Sequence, residues 1–192
     1  MLGLHFRLIT GSAGVSDRPM SSLARLGLIE RELAGDDYPQ IRDALANWWG
    51  GLGGDDGADH RMALVPRLFF DHFSNSSVLI ERHGEMVGFL VGFLSQTHRD
   101  TAYIHFVGVR PTERGEGLGA ALYQWFFEFA SANGRSAVRS ITSPGNHASI
   151  AFHRALGFDL EPGELIDGVP VQRDYDGAGN HRVAFLRHLV ID

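Results

Sequence analysis

The chain has 192 residues, 17 of them Lys or Arg against 23 Asp or Glu, and no cysteine. That length fits one domain whose core needs no covalent staple, and the absence of cysteine excludes disulfides, thiolate metal sites and a cysteine nucleophile while suiting a reducing compartment. A net charge of −6 leaves no basic surplus to neutralise phosphates, which argues against nucleic acid as a partner.

The start, "MLGLHFRLIT", lacks a basic leader followed by an unbroken apolar run, so no secretory signal is expected. Residues 1–26 contain the small, polar "TGSAGVSDRPMSS". They read as an extension ahead of a single domain over 27–192. "LIEREL" (28–33) alternates apolar and polar, as a half-buried strand does. Asp37 can cap a helix in which Ile41, Ala44, Leu45 and Trp48 share a face, with Gly50 and Gly51 to stop it. "GLGGDDGADH" (51–60) reads as a flexible acidic loop. "ALVPRLFFDHF" (63–73) is a second helical candidate, with Pro66 near its first turn. "SVLIER" and "MVGFLVGFLS" flank "HGE", a hairpin signal. The apolar run "MVGFLVGFL" is far shorter than the ~20 residues that cross a bilayer. No membrane partner is expected, and a cytoplasmic location is.

"TAYIHFVGV" (101–109) is a third strand, ended by Pro111. Leu118, Leu122, Trp125, Phe126 and Phe129 then recur on one face of a helix that Gly134 ends. "SAVRSIT" is a strand. "NHASIAFHRAL" is a helix capped by Asn146 and stopped by Gly157. "HRVAFLRHLV" (181–190) closes the chain as a strand. The order is that of an α/β domain with a mixed sheet, helix-linked strands being parallel and the hairpin antiparallel.

The chemistry concentrates in "VRPTERGEGLGAAL" (109–122), where Gly115, Gly117 and Gly119 open a helix directly after a strand. A helix start leaves backbone N–H groups unpaired, and with the positive end of the dipole they form an anion site. Glycine removes the side chains that would keep a phosphate away, and Arg114 adds a planar cationic fork. A turn without a ligand is the plain alternative. A dinucleotide fingerprint has different spacing and needs an acidic residue about twenty positions on. A nucleotide-hydrolase loop needs Lys-Ser/Thr where Ala120-Ala121 stand.

Arg114-x-x-Gly117-x-Gly119 after "VGVRP" resembles the R/Q-x-x-G-x-G/A signature of the GNAT acyltransferase superfamily. "NHASIAFHRALGF" (146–158) resembles that family's downstream element. The order of elements is similar from residue 28 onward. The resemblance implies an α/β fold with a mixed central sheet of six or seven strands, one splayed pair, and about four flanking helices. It implies acetyl-CoA as co-substrate, no metal, and an N-acetyltransferase that moves an acetyl group to a primary amine of a small molecule or peptide by direct attack. The alternatives are a catalytically silent, CoA-binding sensor domain and a transferase for hydroxyls or longer acyl groups. Members of the family often pair as homodimers.

Carried over residue by residue, the pyrophosphate falls to Arg114, Gly115, Gly117, Leu118, Gly119 and Ala120. The pantetheine arm falls to the backbone of Val107 and Val109 and to Asn146, with Ser149 in the same element. Gly108 would suit a bulge in that strand. The family often has a tyrosine acid where this chain has His153, and imidazole is an acid only when it is protonated or its pKa is raised. His105 stands where a glutamate base is usual, and by alternation it shares a face with Tyr103 and Val107. Tyr175 is a spare acid candidate on a loop near the acceptor. For each histidine the structural alternative is a packing role. Trp48, Trp49, Phe69 and Phe70 can line an acceptor pocket or simply fill a core. Asp55, Asp56 and Asp59 can attract a cationic amine or lie on a solvated loop. "DYDGAGN" lacks the glutamate of a calcium loop, since Phe185 stands at its twelfth position, so it reads as a turn.

Overall fold

The structure, a computed structural model, describes residues 23, 27–49 and 54–190. Most of the expected extension and the glycine stop at Gly50 and Gly51 lie outside the described residues. Leu23, assigned by sequence to the extension, is buried in the main core.

Strand β1 (Ile29–Glu32) leads through a short 3-10 turn into α1 (Tyr38–Asn47). Asp37 at that junction bonds Arg31, the Ala34 amide and Gln40. The next element corrects the sequence reading. From Gly54 onward, "GLGGDDGADH" is not a loop but the start of α2 (Gly54–Leu64), its first three residues lying outside the described residues, and Arg61 on α2 donates from Nε to the Leu45 carbonyl at 2.9 Å. Packing on α1 overrides the weak local propensity of that stretch. Pro66 breaks the chain after α2, because it has no N–H and disfavours helix at the residue before it. The expected second helix is therefore reduced to α3 (Leu68–His72).

Strands β2 (Val78–Arg82) and β3 (Glu85–Leu94) form the expected hairpin. Its two-residue loop, His83 and Gly84, has φ of 54° and 78°. A primed turn of this kind matches the twist of the strands. Then follow β4 (Thr101–Val109), α4 (Leu118–Ala132), β5 (Ala137–Thr142) and α5 (His147–Ala155). Three short strands were not expected: β6 (Asp159–Leu160) and the hairpin β7 (Glu164–Ile166) and β8 (Val169–Val171). Strand β9 (Val183–His188) is the last. Among the described residues the main sheet has seven strands in the order β1-β2-β3-β4-β5-β9-β6, and β7-β8 is a separate ribbon.

Helices cover both faces. Leu118, Leu122 and Phe126 of α4 are at most 3% exposed, each worth roughly 1.5–3 kcal/mol of burial. Trp125 and Phe129 stand half-buried at the rim and stack at 5.7 Å. With Ile150 of α5 and the facing strands, this is one core. The other lies under α1, α2 and α3, around Ile41, Leu45, Phe70 and Phe89.

Two irregularities in β4 build the site. Its parallel pairing with β5 covers only Thr101, Ala102 and Tyr103. From Ile104 onward the two strands part, and among the described residues β4 has no ladder partner on that side. On its other side, Val91 pairs Phe106 and Gly92 pairs Ile104, so His105 is one extra residue, a β-bulge. The bulge is at His105, not at Gly108. Gly108 is glycine for another reason, since a Cβ there would lie 2.3 Å from the Phe89 ring. The extra residue also breaks the expected alternation. Ile104 and Val107 pack with the α4 core. His105 stacks on Phe69 and Phe106 packs against Trp49, on the opposite face. His105 and Val107 therefore do not share a face.

Candidate active site

Where β4 and β5 part, a cavity of about 350 Å³ opens through the sheet. On the α4 side it is lined by Val107, Tyr123, Asn146, Ser149 and His153. On the α2 side it is lined by Trp49, His60, Arg61, Leu64 and His105. Asp176 and Arg182 close one wall.

His105 is held by its bulge and by Leu64, whose carbonyl lies 2.5 Å from Nε2. A carbonyl only accepts, so Nε2 carries the hydrogen and Nδ1 keeps a lone pair. Burial pushes the imidazole below its ordinary pKa, outweighing the bond to Leu64 and the charge of Asp176. The ring is a neutral base with a fixed tautomer. Phe69 stacks on it at 4.4 Å.

His153 is 3% exposed. Its ring lies flat on Phe185, 4.1 Å between centroids. Nδ1 lies 2.8 Å from the Ser149 carbonyl and so carries the hydrogen. Nε2 is left to accept from the Tyr123 hydroxyl at 3.0 Å. Burial lowers the pKa of this imidazole too, against the bond to Ser149. That is the opposite of the raised value a standing imidazole acid requires. Tyr123 is buried beside it, with its pKa pushed up by burial and its hydroxyl also bonded to Ser140.

The glycine turn lies further along, past Val109, and none of its residues lines the cavity. Gly115 and Gly117 have φ of +85° and +86°, and a Cβ at either would meet nothing within 4 Å. The first bond of α4 runs from the Ala121 N–H to the Gly117 carbonyl, so the amides of Leu118, Gly119 and Ala120 precede it as helix-start donors with no acceptor within the helix. Gly119 faces Phe152, 3.4 Å from a virtual Cβ. Arg114 is bent back: Nε donates to the Val109 carbonyl at 3.1 Å and Nη2 to the Trp48 carbonyl at 2.5 Å. Asn146 is a helix cap, its Oδ1 accepting from the Ser149 N–H at 3.1 Å.

Tyr175 does not reach this cavity. It is 51% exposed, bonds Tyr103, and lines a separate hollow of about 380 Å³. Its neighbour Asp176 is the residue that enters the main site, paired to Arg182 Nε at 2.7 Å. Of the four aromatics Trp49 lines the cavity, Phe69 stacks on His105 without lining it, and Phe70 and Trp48 belong to the core beneath. Asp59 is exposed, and the side chains of Asp55 and Asp56 lie outside the described residues. Among the described residues no group of three metal-ligating side chains occurs, and no helix is long and apolar enough to cross a membrane.

The sequence profile of the Acetyltransferase (GNAT) family matches residues 38–158. The chain is 35% identical over 119 residues to an L-2,4-diaminobutyric acid acetyltransferase of Nocardia farcinica, covering 62% of this chain and 61% of that one. It is 27% identical over 118 residues to the enzyme of the same name from Shouchella clausii, covering 62% and 65%. The match therefore spans less than two thirds of either relative's length. Among solved structures, diaminobutyrate acetyltransferase from Paenibacillus lautus, in complex with L-2,4-diaminobutyric acid and coenzyme A, superposes with a TM-score of 0.58 at 19% identity, over 83% of this chain and 93% of that one. At that identity the likeness is one of fold.

Proposed function

The chain belongs to the acetyltransferase (GNAT) family, and on that premise we propose that it transfers an acetyl group from acetyl-CoA to a primary amine of a small molecule. The observation that carries the proposal is the cavity through the sheet, with His105 on one side and the Tyr123–His153 pair on the other.

The residues fit coenzyme A. At Gly115 and Gly117 there is open space where a side chain would stand, and the amides of Leu118, Gly119 and Ala120 open a helix. Together they suit a pyrophosphate. Arg114, exposed and hinged on two carbonyls, can add its charge there. The unpaired edge of β4 offers backbone from Val107 and Val109 to an extended amide-bearing arm, and the Asn146 amide NH₂ and Ser149 hydroxyl stand across from it. Acetyl-CoA, when bound, supplies the acetyl group as a thioester open to attack by an amine.

His105 then takes the proton that the amine must lose, at Nδ1, directly or through one water. Its neutrality is what suits it, because a protonated ring could accept nothing. The acceptor is a small molecule carrying charges of both signs. The named substrate of the relatives, L-2,4-diaminobutyric acid, carries a carboxylate as well as amines, and the Asp176–Arg182 pair offers one partner to each sign.

The test is release of free thiol from acetyl-CoA against a panel of amines, with L-2,4-diaminobutyrate and other amino acids included. Amine-dependent release that falls about a hundredfold in His105→Ala supports the reading, as the loss of a general base predicts. Coenzyme binding without release on any amine would instead identify a silent binding domain.

A further inference from the structure

We infer that Tyr123 is the proton donor to the departing thiolate and that His153 serves as its positioning residue. The inference rests on the acetyl-transfer reading above.

The family resemblance puts a tyrosine hydroxyl at position 153, on α5, where this chain has histidine. The structure brings a phenol beside that residue from a different helix. Tyr123 comes from α4, lines the cavity, and ends 3.0 Å from the His153 ring. The imidazole cannot supply the proton itself. Nδ1–H is held by the Ser149 carbonyl at 2.8 Å, turned along its own helix. Nε2 carries no hydrogen in that tautomer. The one polar hydrogen that this pair presents is on the Tyr123 oxygen.

The surroundings suit holding it there. Phe185 and Phe158 pack on His153 at 4.1 and 5.2 Å between ring centroids, and Phe152 and Phe158 pack edge-on to Tyr123 at 5.3 and 6.1 Å. The imidazole is thus locked in plane and height, and through Nε2 it fixes the phenol oxygen. Rotation about the phenol C–O bond swings the hydrogen from Nε2 toward the cavity. In the transfer step, the amine nitrogen bonds to the acetyl carbon, the carbon–sulfur bond breaks, and the sulfur takes the Tyr123 proton. The phenolate left behind accepts from the Ser140 hydroxyl, its other partner. Water in the open cavity returns the proton, as it removes the one on His105.

A buried Tyr–His pair could also be mere packing, and kinetics separate the two roles. Tyr123→Phe removes one oxygen. The expected result is a kcat at least tenfold lower, with the KM for acetyl-CoA within twofold of the parent, read well below the melting temperature of each variant. His153→Gln is made alone and with Tyr123→Phe. If His153 acts through Tyr123, the double variant is no slower than Tyr123→Phe alone. A Tyr123→Phe enzyme with kcat within twofold of the parent overturns the assignment, and so do single effects that multiply in the double variant. If the parent itself releases no thiol with any amine, the transferase reading is what fails, and the donor role falls with it.

Discussion

Gly117 permits a test that separates backbone need from ligand need. Its φ is +86°, and a Cβ there meets nothing within 4 Å. A substitution therefore costs backbone strain and no clash. For a β-branched residue the left-handed conformation costs about 1–2 kcal/mol, whereas asparagine visits it readily. For a domain of this size each kcal/mol moves the melting temperature by about 2–4 °C. Gly117→Val should thus melt about 2–8 °C lower, and Gly117→Asn within about 3 °C of the parent. Coenzyme affinity answers a different question. A hydrogen bond to a charged group contributes about 1.5–3 kcal/mol, so a side chain that displaces one amide–phosphate bond weakens binding about 10- to 150-fold. Titration calorimetry with coenzyme A on Gly117→Asn is the decisive assay. A folded variant that binds at least tenfold more weakly supports the cradle. A folded variant with affinity within twofold of the parent would refute it, leaving this glycine only a turn residue.

Gly108→Ala should lower stability in urea by roughly 1–3 kcal/mol from overpacking, since its Cβ would lie 2.3 Å from the Phe89 ring; Phe89→Leu in the same chain should recover part of that, and an unaffected single variant would disprove the close approach. Stability should also fall between pH 7 and pH 5. The unfolded chain protonates His153 near the ordinary value of 6.5, while burial holds the folded ring neutral to lower pH. Protons then bind the unfolded state preferentially, so stability is full above 6.5 and is lost as pH falls toward the folded value, with a slope of up to about 1.4 kcal/mol per unit for each such histidine. His105 contributes in the same direction. His153→Gln should have a shallower slope in urea titrations across this range, and an unchanged slope would contradict the burial argument.

Several parts of the site were legible because single residues announce them. Gly115 and Gly117 mark left-handed turns, Asn146 marks a cap, and Leu118, Leu122 and Phe126 mark one helix face. What was not legible depends on contacts distant in sequence. Nothing in "GGDDGADH" reveals that Arg61 will reach the Leu45 carbonyl and draw the segment into a helix. Nothing in "YIHFVGV" reveals a bulge at His105, and the glycine that suggested one was needed to admit Phe89. Tyr123 sits among the apolar residues of α4 and looks like core until His153 is found beside it. Asp176 lay in a stretch that reads as a turn, and it is a turn, but one that leans into the cavity.

The bulge at His105 has a consequence for how this protein can change. A paired strand residue is tied to its neighbours, because its backbone completes the ladder and its side chain must suit one face. His105 completes no rung. The flanking rungs, Val91 with Phe106 and Gly92 with Ile104, close around it. This residue of the cavity wall is thus one on which the ladder makes little demand. The side chain at 105 is held instead by the Leu64 carbonyl and the Phe69 ring, so exchanging it alters the chemistry of the cavity while the ladder stays intact.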